Sequence, residues 1–445
     1  MTTVLSLIIA LSILVLVHEF GHFIAAKRSG VVVEEFAMGY PPRVLTLWRG
    51  RGEIIIDRKK ITIPRRFKLP EGLRARSQVT YETATDDKGK LVLTRIALVP
   101  EPERSDAEQD EGLDPAFVEA ARAAVSGSVP GYIERLEPGT IYSINAIPFG
   151  GFTKMLGEED PTFPGSLGSK NKRTRMLVLI AGAGMNLLTA VLFFALAYGA
   201  GAPVVADPEN AMIREVVVGS PAESAGLQAG DVVVKAGDTS ILTMEDLQAY
   251  IQAHLGQETV LTVQRDGQTL TINLVPRANP PAGQGAMGVI LGPRTMIEHY
   301  PWYKAAWEGL KETAAMCVYI LTVPVQLIRG LIPAELVRPV GPVGVGQLVG
   351  DAVQYSLDTG WWFPVLQMMG SLSVALAVTN LLPLPGLDGG RIIFVIIEGI
   401  RGRRIDPAKE GLVHLIGMLL LVALMVFITY QDLTNPLPAI PWGGF

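Results

Sequence analysis

Four long apolar segments alternate with polar stretches along the chain. An apolar run of about 20 residues can cross the roughly 30 Å hydrocarbon core of a bilayer as a helix. The pattern therefore predicts a multi-pass α-helical membrane protein with about four transmembrane helices. Their predicted bounds are 1–30, 176–200, 361–391 and 412–430.

A fifth apolar stretch, 302–332, is interrupted by Pro324, Gln326 and Arg329. Basic residues follow the first span and cluster again over 391–409, and such clusters mark the cytoplasmic side of a membrane. If 302–332 crossed the bilayer, the second cluster would face outward. We therefore expect residues 302–332 to form an amphipathic or re-entrant membrane-associated segment on the outer face.

The segment 31–170, between the first two spans, is expected to be a β-rich cytoplasmic loop. Within it, residues from about 60 to 139 are polar and charged. They include an acidic run over 101–114 and a predicted short helix over 115–125. This composition favours a solvated and partly mobile insertion.

Residues 141–155 alternate in polarity as a strand does, and the strand contains Gly150, Gly151 and Phe152. A glycine pair in a strand allows a bulge or the close approach of another backbone. Two interpretations stay open. The segment is either an ordinary hairpin or an edge strand that pairs with an extended substrate.

Residues 203–278 have the pattern of a soluble α+β unit. Short β-branched runs flank one amphipathic helix at 244–254. The stretch Ala225-Gly226-Leu227-x-x-Gly230-Asp231, with its neighbouring strands, resembles the PDZ domains of bacterial proteases. Such a fold implies a groove that takes a peptide or a chain end by strand addition. The order of the spans places this domain outside the cytoplasm.

Composition limits the available chemistry. The chain has 445 residues, 49% apolar and 18% charged, with a formal net charge of −5, so nothing favours nucleic-acid binding. Cys317 is the single cysteine, which excludes a disulfide within the chain and a cysteine metal site. The first three residues lack the basic region of a signal peptide, so we expect the first span to be retained.

The strongest chemical signal is His18-Glu19-Phe20-Gly21-His22 inside the first apolar span. Two histidines four residues apart share one face of a helix, as two ligands of one metal must. Glu19 lies about 100° around the helix from His18, within reach of a metal-held water. The motif therefore predicts two zinc ligands and a general base. The alternative, two polar residues near a helix end, conflicts with the cost of ionisable groups inside an apolar span.

A third ligand is predicted at Asp388. It follows Asn380 and a loop broken by Pro383 and Pro385, at the same membrane depth as the two histidines. Irregular backbone at that depth is tolerated where it lines a protein cavity. The alternative is a turn aspartate that caps the following helix. His414 is a poorer candidate ligand, because it lies within the fourth span.

These motifs together resemble the bacterial site-2 proteases, close to the regulator of sigma-E protease branch. The resemblance rests on HEFGH, the Gly-Gly-Phe strand, one PDZ unit and Asn380-x-x-Pro-x-Pro-x-x-Asp388-Gly. It covers both membrane halves, but not the region from about 60 to 139. Members of this family often carry two PDZ domains in tandem, whereas this chain shows one.

The resemblance implies a zinc metalloendopeptidase in the bacterial cytoplasmic membrane, with its active site near the cytoplasmic face. His18, His22 and Asp388 match the ligands of one zinc ion per chain, and Glu19 matches the catalytic base. Asn380, Pro383 and Pro385 match the segment that holds an unwound substrate. Gly150, Gly151 and Phe152 match the strand that pairs with it. The expected partners are the lipid bilayer and transmembrane protein substrates such as anti-sigma factors or remnant signal peptides.

Two other functions are compatible with parts of the sequence. A non-catalytic membrane scaffold would use the PDZ unit to bind chain ends, but a structural zinc site is normally closed by four ligands. A metal transporter would spread polar residues along several spans, whereas here they gather at one depth. A Glu19→Gln substitution distinguishes the protease from the scaffold.

Overall fold

The computed structural model describes residues 2–65, 67–70, 72–87, 89–99, 128–157, 165–265, 267–281, 284–333, 338–438, 440 and 442. The predicted acidic run 101–114 and helix 115–125 lie outside the described residues. The helices, in chain order, are α1 Thr2–Arg28, α2 Lys172–Gly201, α3 Pro221–Ser224, α4 Met244–Ala253, α5 Trp302–Ile328, α6 Pro342–Thr359, α7 Phe363–Leu381, α8 Asp388–Arg401 and α9 Pro407–Thr434.

Within the described residues, five helices are long and apolar enough to cross a membrane, so the predicted count of four spans is not confirmed. They are α1, α2, α5, α7 and α9. The additional helix is α5, which the sequence analysis assigned to a segment on the outer face. It is continuous through Pro324 and packs along α2 and α7 through Met316, Cys317 and Ile320.

A small residue explains why α5 joins the bundle. A Cβ at Gly309 would lie 2.8 Å from both the Ala195 nitrogen and the Val191 oxygen of α2, so only glycine allows this close approach. The polar residues that suggested an amphipathic surface segment do not prevent the contact. The packing face consists of Ala305, Gly309 and Thr313. Small residues at a helix interface let two backbones approach within a membrane.

Two bent strands form a sheet beside α1. They are β1, Val33–Arg49, and β7, Ile141–Met155. Residues 36–38 pair with 151–153 on one side and with 142–144 on the other, and residues 45–49 pair with 141–144. The two strands therefore give four rows, with 150–155 as one outer row.

The region expected to be a solvated insertion, about 60–139, forms a closed five-stranded barrel together with the residues directly before it. Its strands are β2 Gly52–Ile56, β3 Lys59–Ile63, β4 Gln78–Thr85, β5 Leu91–Leu98 and β6 Val129–Glu137, in the order β2-β3-β5-β4-β6. Alternate residues such as Ile54, Ile56, Ile61 and Ile63 fill its core. The expectation of a solvated insertion was wrong because the strands are only five to nine residues long and each has a polar outer face. The average composition of such a region is hydrophilic although alternate residues are buried.

The predicted PDZ unit is a sheet with one groove-forming helix. Its strands are β8 Ala202–Val216, β9 Val232–Ala236, β10 Thr239–Ser240, β11 Thr259–Arg265, β12 Gln268–Leu274 and β13 Val289–Glu298. The sheet order is β12-β11-β9-β8-β13, with β10 paired to β9. Because β13 pairs with β8, the unit extends to residue 298, beyond the predicted bound at 278. Helix α4 agrees with the predicted 244–254 within one residue.

Candidate active site

Three side chains from two distant parts of the chain meet between α1 and the start of α8. His18 Nε2 lies 3.0 Å from Asp388 Oδ2, and His22 Nε2 lies 3.2 Å from the same oxygen. The two Nε2 atoms are 3.1 Å apart. Ligand atoms about 2.0–2.1 Å from a tetrahedral zinc ion lie about 3.3 Å from one another. The spacing therefore fits three ligands of one zinc ion.

The protonation of His22 shows why these atoms need a cation. Its Nδ1 donates a hydrogen bond to the Val178 carbonyl oxygen at 2.8 Å. Because a carbonyl can only accept, Nδ1 carries the proton and neutral His22 presents an unprotonated Nε2. That lone pair faces a second imidazole and a carboxylate. Without a cation between them, three electron-rich atoms would converge with little attraction to compensate their burial.

Asn186 performs the same task for His18. Asn186 is fully buried on α2, and its amide nitrogen Nδ2 lies 3.4 Å from His18 Nδ1. Its Oδ1 forms no hydrogen bond with another described residue. With the amide rotated so that Oδ1 takes the place of Nδ2, Oδ1 accepts a hydrogen bond from the His18 Nδ1–H, and the unprotonated Nε2 of His18 is free to coordinate. Outer groups of this kind fix the tautomer and orientation of metal-binding histidines. This role is not visible in the sequence, where an asparagine in an apolar helix equally suits helix packing.

Gly182 provides the space for an ion. A Cβ at this position would lie 2.4 Å from His22 Nε2 and 2.7 Å from His18 Nε2. Any side chain there would fill the volume on which the ligand atoms converge. The missing Cβ, the donor set and the spacing all fit a bound metal. The sequence alone does not reveal this role, because a small residue in an apolar helix equally suits helix packing.

Glu19 lies on α1 directly after His18. Its carboxylate interacts electrostatically with His18, His22 and Asp388. Its backbone oxygen accepts a hydrogen bond from Thr153 Oγ1 at 2.8 Å, which fixes the outer row of the sheet beside it. The structure therefore places an acid next to the three candidate ligands and next to the predicted substrate strand.

The loop between α7 and α8 returns sharply to present Asp388. A Cβ at Gly389 would lie 2.0 Å from the Leu382 oxygen, so glycine is required at this turn. The Gly386 N–H donates to His414 Nδ1 at 2.9 Å, so His414 holds the loop on α9. Asp388 contacts both histidines through its side chain, and the residue that caps α8 is Leu387. The alternative role as a simple capping aspartate does not describe this geometry.

The residues predicted to bind substrate surround the same centre. Asn380 is in the last turn of α7, and Pro383 and Pro385 lie in the loop that leads to Asp388. Gly150 packs on α1, where a Cβ would lie 2.6 Å from Val15 Cγ1. Phe152 stacks against Tyr40 within the sheet, with ring centroids 6.4 Å apart. Their contact with a substrate stays a prediction.

A buried cluster of two histidines and a carboxylate, with an adjacent glutamate, inside a bundle of apolar helices is typical of a membrane metalloprotease. The comparison with known proteins agrees, because a model described as peptidase family M50 matches residues 6–54 and 123–424. The chain belongs to that family, the site-2 proteases. Zinc is the metal that its relatives use.

Three relatives illustrate the similarity over nearly the whole chain. The "Zinc metalloprotease RasP" of Oceanobacillus iheyensis is 28% identical over 450 residues, covering 97% of this chain and 99% of that protein. The protein of the same name from Geobacillus kaustophilus is 28% identical over 447 residues, covering 97% of each chain. The "Probable protease eep" of Enterococcus faecalis is 29% identical, covering 97% of this chain and 99% of that protein.

A solved PDZ domain of an SdrC-like protein from Listeria monocytogenes also matches. It is 17% identical, with a TM-score of 0.18, and covers 20% of this chain and 93% of that domain. The family and the relatives together identify a zinc metalloprotease of the site-2 protease type.

Proposed function

We propose that this zinc metalloprotease hydrolyses peptide bonds within the transmembrane segments of membrane-protein substrates. The main support is that His18, His22 and Asp388 converge beside Glu19 in a bundle of helices. The three side chains would hold one zinc ion. When bound, zinc supplies a Lewis acid that polarises the scissile carbonyl and makes water acidic near neutral pH.

The chain's own residues carry the proton. Glu19 accepts a proton from the attacking water and returns it to the nitrogen of the departing amine, so that the C–N bond breaks without releasing an unstable amide anion. Hydrogen bonds from His22 to Val178 and from His18 to Asn186 would keep both imidazoles neutral and oriented. His18 and His22 are nearly inaccessible to solvent, at 7% and 6% exposure, which strengthens electrostatic interactions in the site.

A transmembrane helix must unwind before it can be cut, because its carbonyls are engaged in i→i−4 hydrogen bonds. The row 150–155 supports strand pairing as the compensation. It pairs with β1 on one side, and no described strand pairs with its other edge. Asn380 could supply a further amide, since no hydrogen bond joins its side chain to another described residue. We propose that both groups hold the unwound substrate.

The basic residues at the end of α1 and after it support a position in the bacterial cytoplasmic membrane, with the metal site near the cytoplasmic face and the PDZ unit, which follows α2, outside. The PDZ unit has a groove of about 700 Å³ between α4 and the start of β13. Leu247, Ile251, Met287 and Leu291 line it. These apolar residues favour the end of a peptide or chain with an apolar side chain. Anti-sigma factors and remnant signal peptides are the substrate classes that fit this proposal.

The test uses purified full-length protein in detergent, with zinc content and cleavage of a model single-span substrate as the readouts. We expect Glu19→Gln to retain one zinc per chain and to lose cleavage by about 10²–10⁴-fold, because it removes the general base. Glu53→Gln on the outer surface of the barrel is the matched control and should change neither readout. Absence of zinc from the wild type would contradict the proposal. Zinc in both proteins without cleavage by either would favour a scaffold, and equal cleavage by both would contradict the role of Glu19.

A further inference from the structure

A basic cavity lies at the end of the bundle where α2 begins and α8 ends. Its volume is about 590 Å³, which is in the range of small-molecule sites. The lining residues are Lys170, Asn171, Lys172, Arg173, Arg175, Glu398 and Arg404. Five cations and one carboxylate therefore line the same space, well separated in sequence from the metal motif.

The single carboxylate of this lining is already neutralised. Arg175 Nη1 lies 2.5 Å from Glu398 Oε2, and the two side chains are only 10% and 3% exposed. A buried, well-formed pair of this kind leaves little negative charge for other cations. The pair joins α2 to α8 and forms the wall of the cavity.

Four positive charges remain without a carboxylate among the lining residues. Lys172 Nζ donates to the Glu398 carbonyl oxygen at 3.0 Å, and Arg404 Nη2 donates to the Gly168 oxygen at 2.6 Å. These bonds orient the two side chains towards the cavity but cancel no charge. The side chains of Lys170 and Arg173 form no hydrogen bond or ion pair with another described residue.

The environment of Lys170 is consistent with binding of an anion in this cavity. Burial, followed by the positive charge of Arg135, lowers the pKa of Lys170 from its ordinary value, while the Glu137 carboxylate, which pairs with Arg135, acts in the opposite direction. An anion that binds beside such a lysine stabilises the charged form of its side chain. A phosphate group suits such a cluster because its oxygens accept hydrogen bonds from several lysine and arginine donors.

The depth of the cavity indicates where a phosphate would come from. The apolar part of α2 begins at Met176, directly after the charged first turn at 172–175. Headgroup phosphates lie at this boundary between hydrocarbon and water. Basic pockets between membrane helices on the cytoplasmic side are a recurrent recognition site for anionic headgroups.

We propose that this cavity binds a phosphate group, presented by the headgroup of an anionic phospholipid or as free phosphate. The site is independent of the proteolytic chemistry, and the bound group would tie the start of α2 to the end of α8. Both helices reach the metal centre, α2 through Gly182 and Asn186 and α8 through Asp388.

The test measures lipid binding to the full-length protein in an uncharged detergent by native mass spectrometry. Phosphatidylglycerol and phosphatidylcholine are titrated separately. The variant is Lys170→Gln with Arg173→Gln, which leaves the Arg175–Glu398 pair and both carbonyl contacts in place. The matched control is Arg58→Gln with Lys59→Gln, two exposed cations on the turn between β2 and β3. Zinc content and thermal unfolding verify that both variants fold.

We expect phosphatidylglycerol to bind at one saturable site, about 30-fold more weakly in the Lys170/Arg173 variant and unchanged in the control. Phosphatidylcholine should bind at least that much more weakly to the wild type. If inorganic phosphate alone occupies the site, with the same loss in the variant, the phosphate site stands and free phosphate is its source. Equal binding of phosphatidylglycerol to the wild type and to the variant would overturn the proposal, and so would equal binding of the two lipids.

Discussion

At the scale of single residues, the metal centre depends on an absent side chain as much as on those present. Gly182 faces His18 and His22 across the contact between α1 and α2, and its missing Cβ leaves the volume where their Nε2 atoms converge. Asn186, one turn further along α2, orients His18. The second helix therefore shapes a site whose ligands all lie on other elements.

We predict that Gly182→Ala lowers the apparent affinity for zinc by about 100-fold or more. Alanine favours a helix over glycine by about 1 kcal/mol, so helix propensity cannot account for the loss. The measurement is a zinc competition titration against a chelator. Gly184→Ala is the control, because a Cβ at Gly184 meets nothing within 4 Å. Unchanged zinc affinity in Gly182→Ala would refute this account of the site.

A second residue-scale feature fixes the sheet beside Glu19. Glu35 accepts hydrogen bonds from Arg43 Nε at 3.0 Å and from Ser143 Oγ at 2.6 Å, which joins β1 to β7. Burial raises the pKa of Glu35, but the bonds from Arg43 and Ser143 outweigh it and hold that pKa below the ordinary 4.5. The charged form is therefore the one that stabilises the folded sheet.

The stabilisation by Glu35 should be lost in acid. Because the folded pKa lies below the unfolded one, the contribution is complete above about pH 4.5 and disappears as the pH falls through the folded value. We predict that Glu35→Gln lowers the free energy of unfolding by about 1–2 kcal/mol at pH 7 and by less below pH 4.5. Thermal unfolding at the two pH values measures this. Glu34→Gln, which breaks a more exposed ion pair with Lys154, should show a smaller effect. A difference in stability between the wild type and Glu35→Gln that does not change with pH would contradict this role of the Glu35 carboxylate.

At the scale of elements, the sheet and the loop between α7 and α8 both reach the metal centre, the sheet through Thr153 and the loop through Asp388. Among the described strands, none pairs with the second edge of the outer row 150–155, and Thr153 fixes this row beside Glu19. The loop that ends α7 is fixed by Gly417, where a Cβ would lie 2.4 Å from Pro385, and by His414. The substrate would therefore lie between a rigid strand and a rigid loop.

Asn380 offers the cleaner test of substrate unwinding, because a Cβ at Gly150 would also move the strand against Val15. We predict that Asn380→Ala slows cleavage of a helical single-span substrate by about 10-fold or more. A substrate already extended by helix-breaking residues should lose less, since its carbonyls need no compensation for broken bonds. Cleavage rates of both substrates measure this, with Asn273→Ala on the PDZ surface as the control. Equal losses for the two substrates would contradict the role of Asn380.

At the scale of the whole molecule, the two connections of the barrel to the sheet lie side by side, and Arg135 Nη2 of β6 also donates a hydrogen bond to the Gly30 oxygen at 3.1 Å. The Gly50 N–H donates to the Thr140 oxygen at 2.8 Å, so the chain leaves the sheet after β1 and returns beside it to enter β7. The barrel has its own apolar core, separate from that of the membrane bundle. It is therefore built as a module that the metal site does not need for its geometry.

We predict that residues 52–137 can be replaced by a linker of about four residues with zinc content unchanged and cleavage retained within about threefold, because a hairpin connection of that length joins adjacent strand ends. Metal analysis and the single-span cleavage assay measure this. Removing residues 36–48 instead, of which 36–38 pair with 151–153, should abolish cleavage. Loss of zinc from the chain without the barrel would show that the module supports the site.

The sequence by itself determined the parts of the protein in which chemistry and periodicity are local. HEFGH on an apolar helix, the break before Asp388 and the PDZ pattern each reflect neighbouring residues. Helix α4 accordingly lies within one residue of its predicted bounds. The family and the zinc chemistry follow from these same local patterns.

Only the tertiary structure decided what depends on contacts between distant segments. A glycine has no pattern that separates packing from metal space, so the role of Gly182 required the position of His18 and His22. The closed barrel required the pairing of short strands far apart in sequence, and α5 entered the bundle because Gly309 meets the α2 backbone. Local composition reports how polar a segment is on average, whereas burial depends on which face meets which partner.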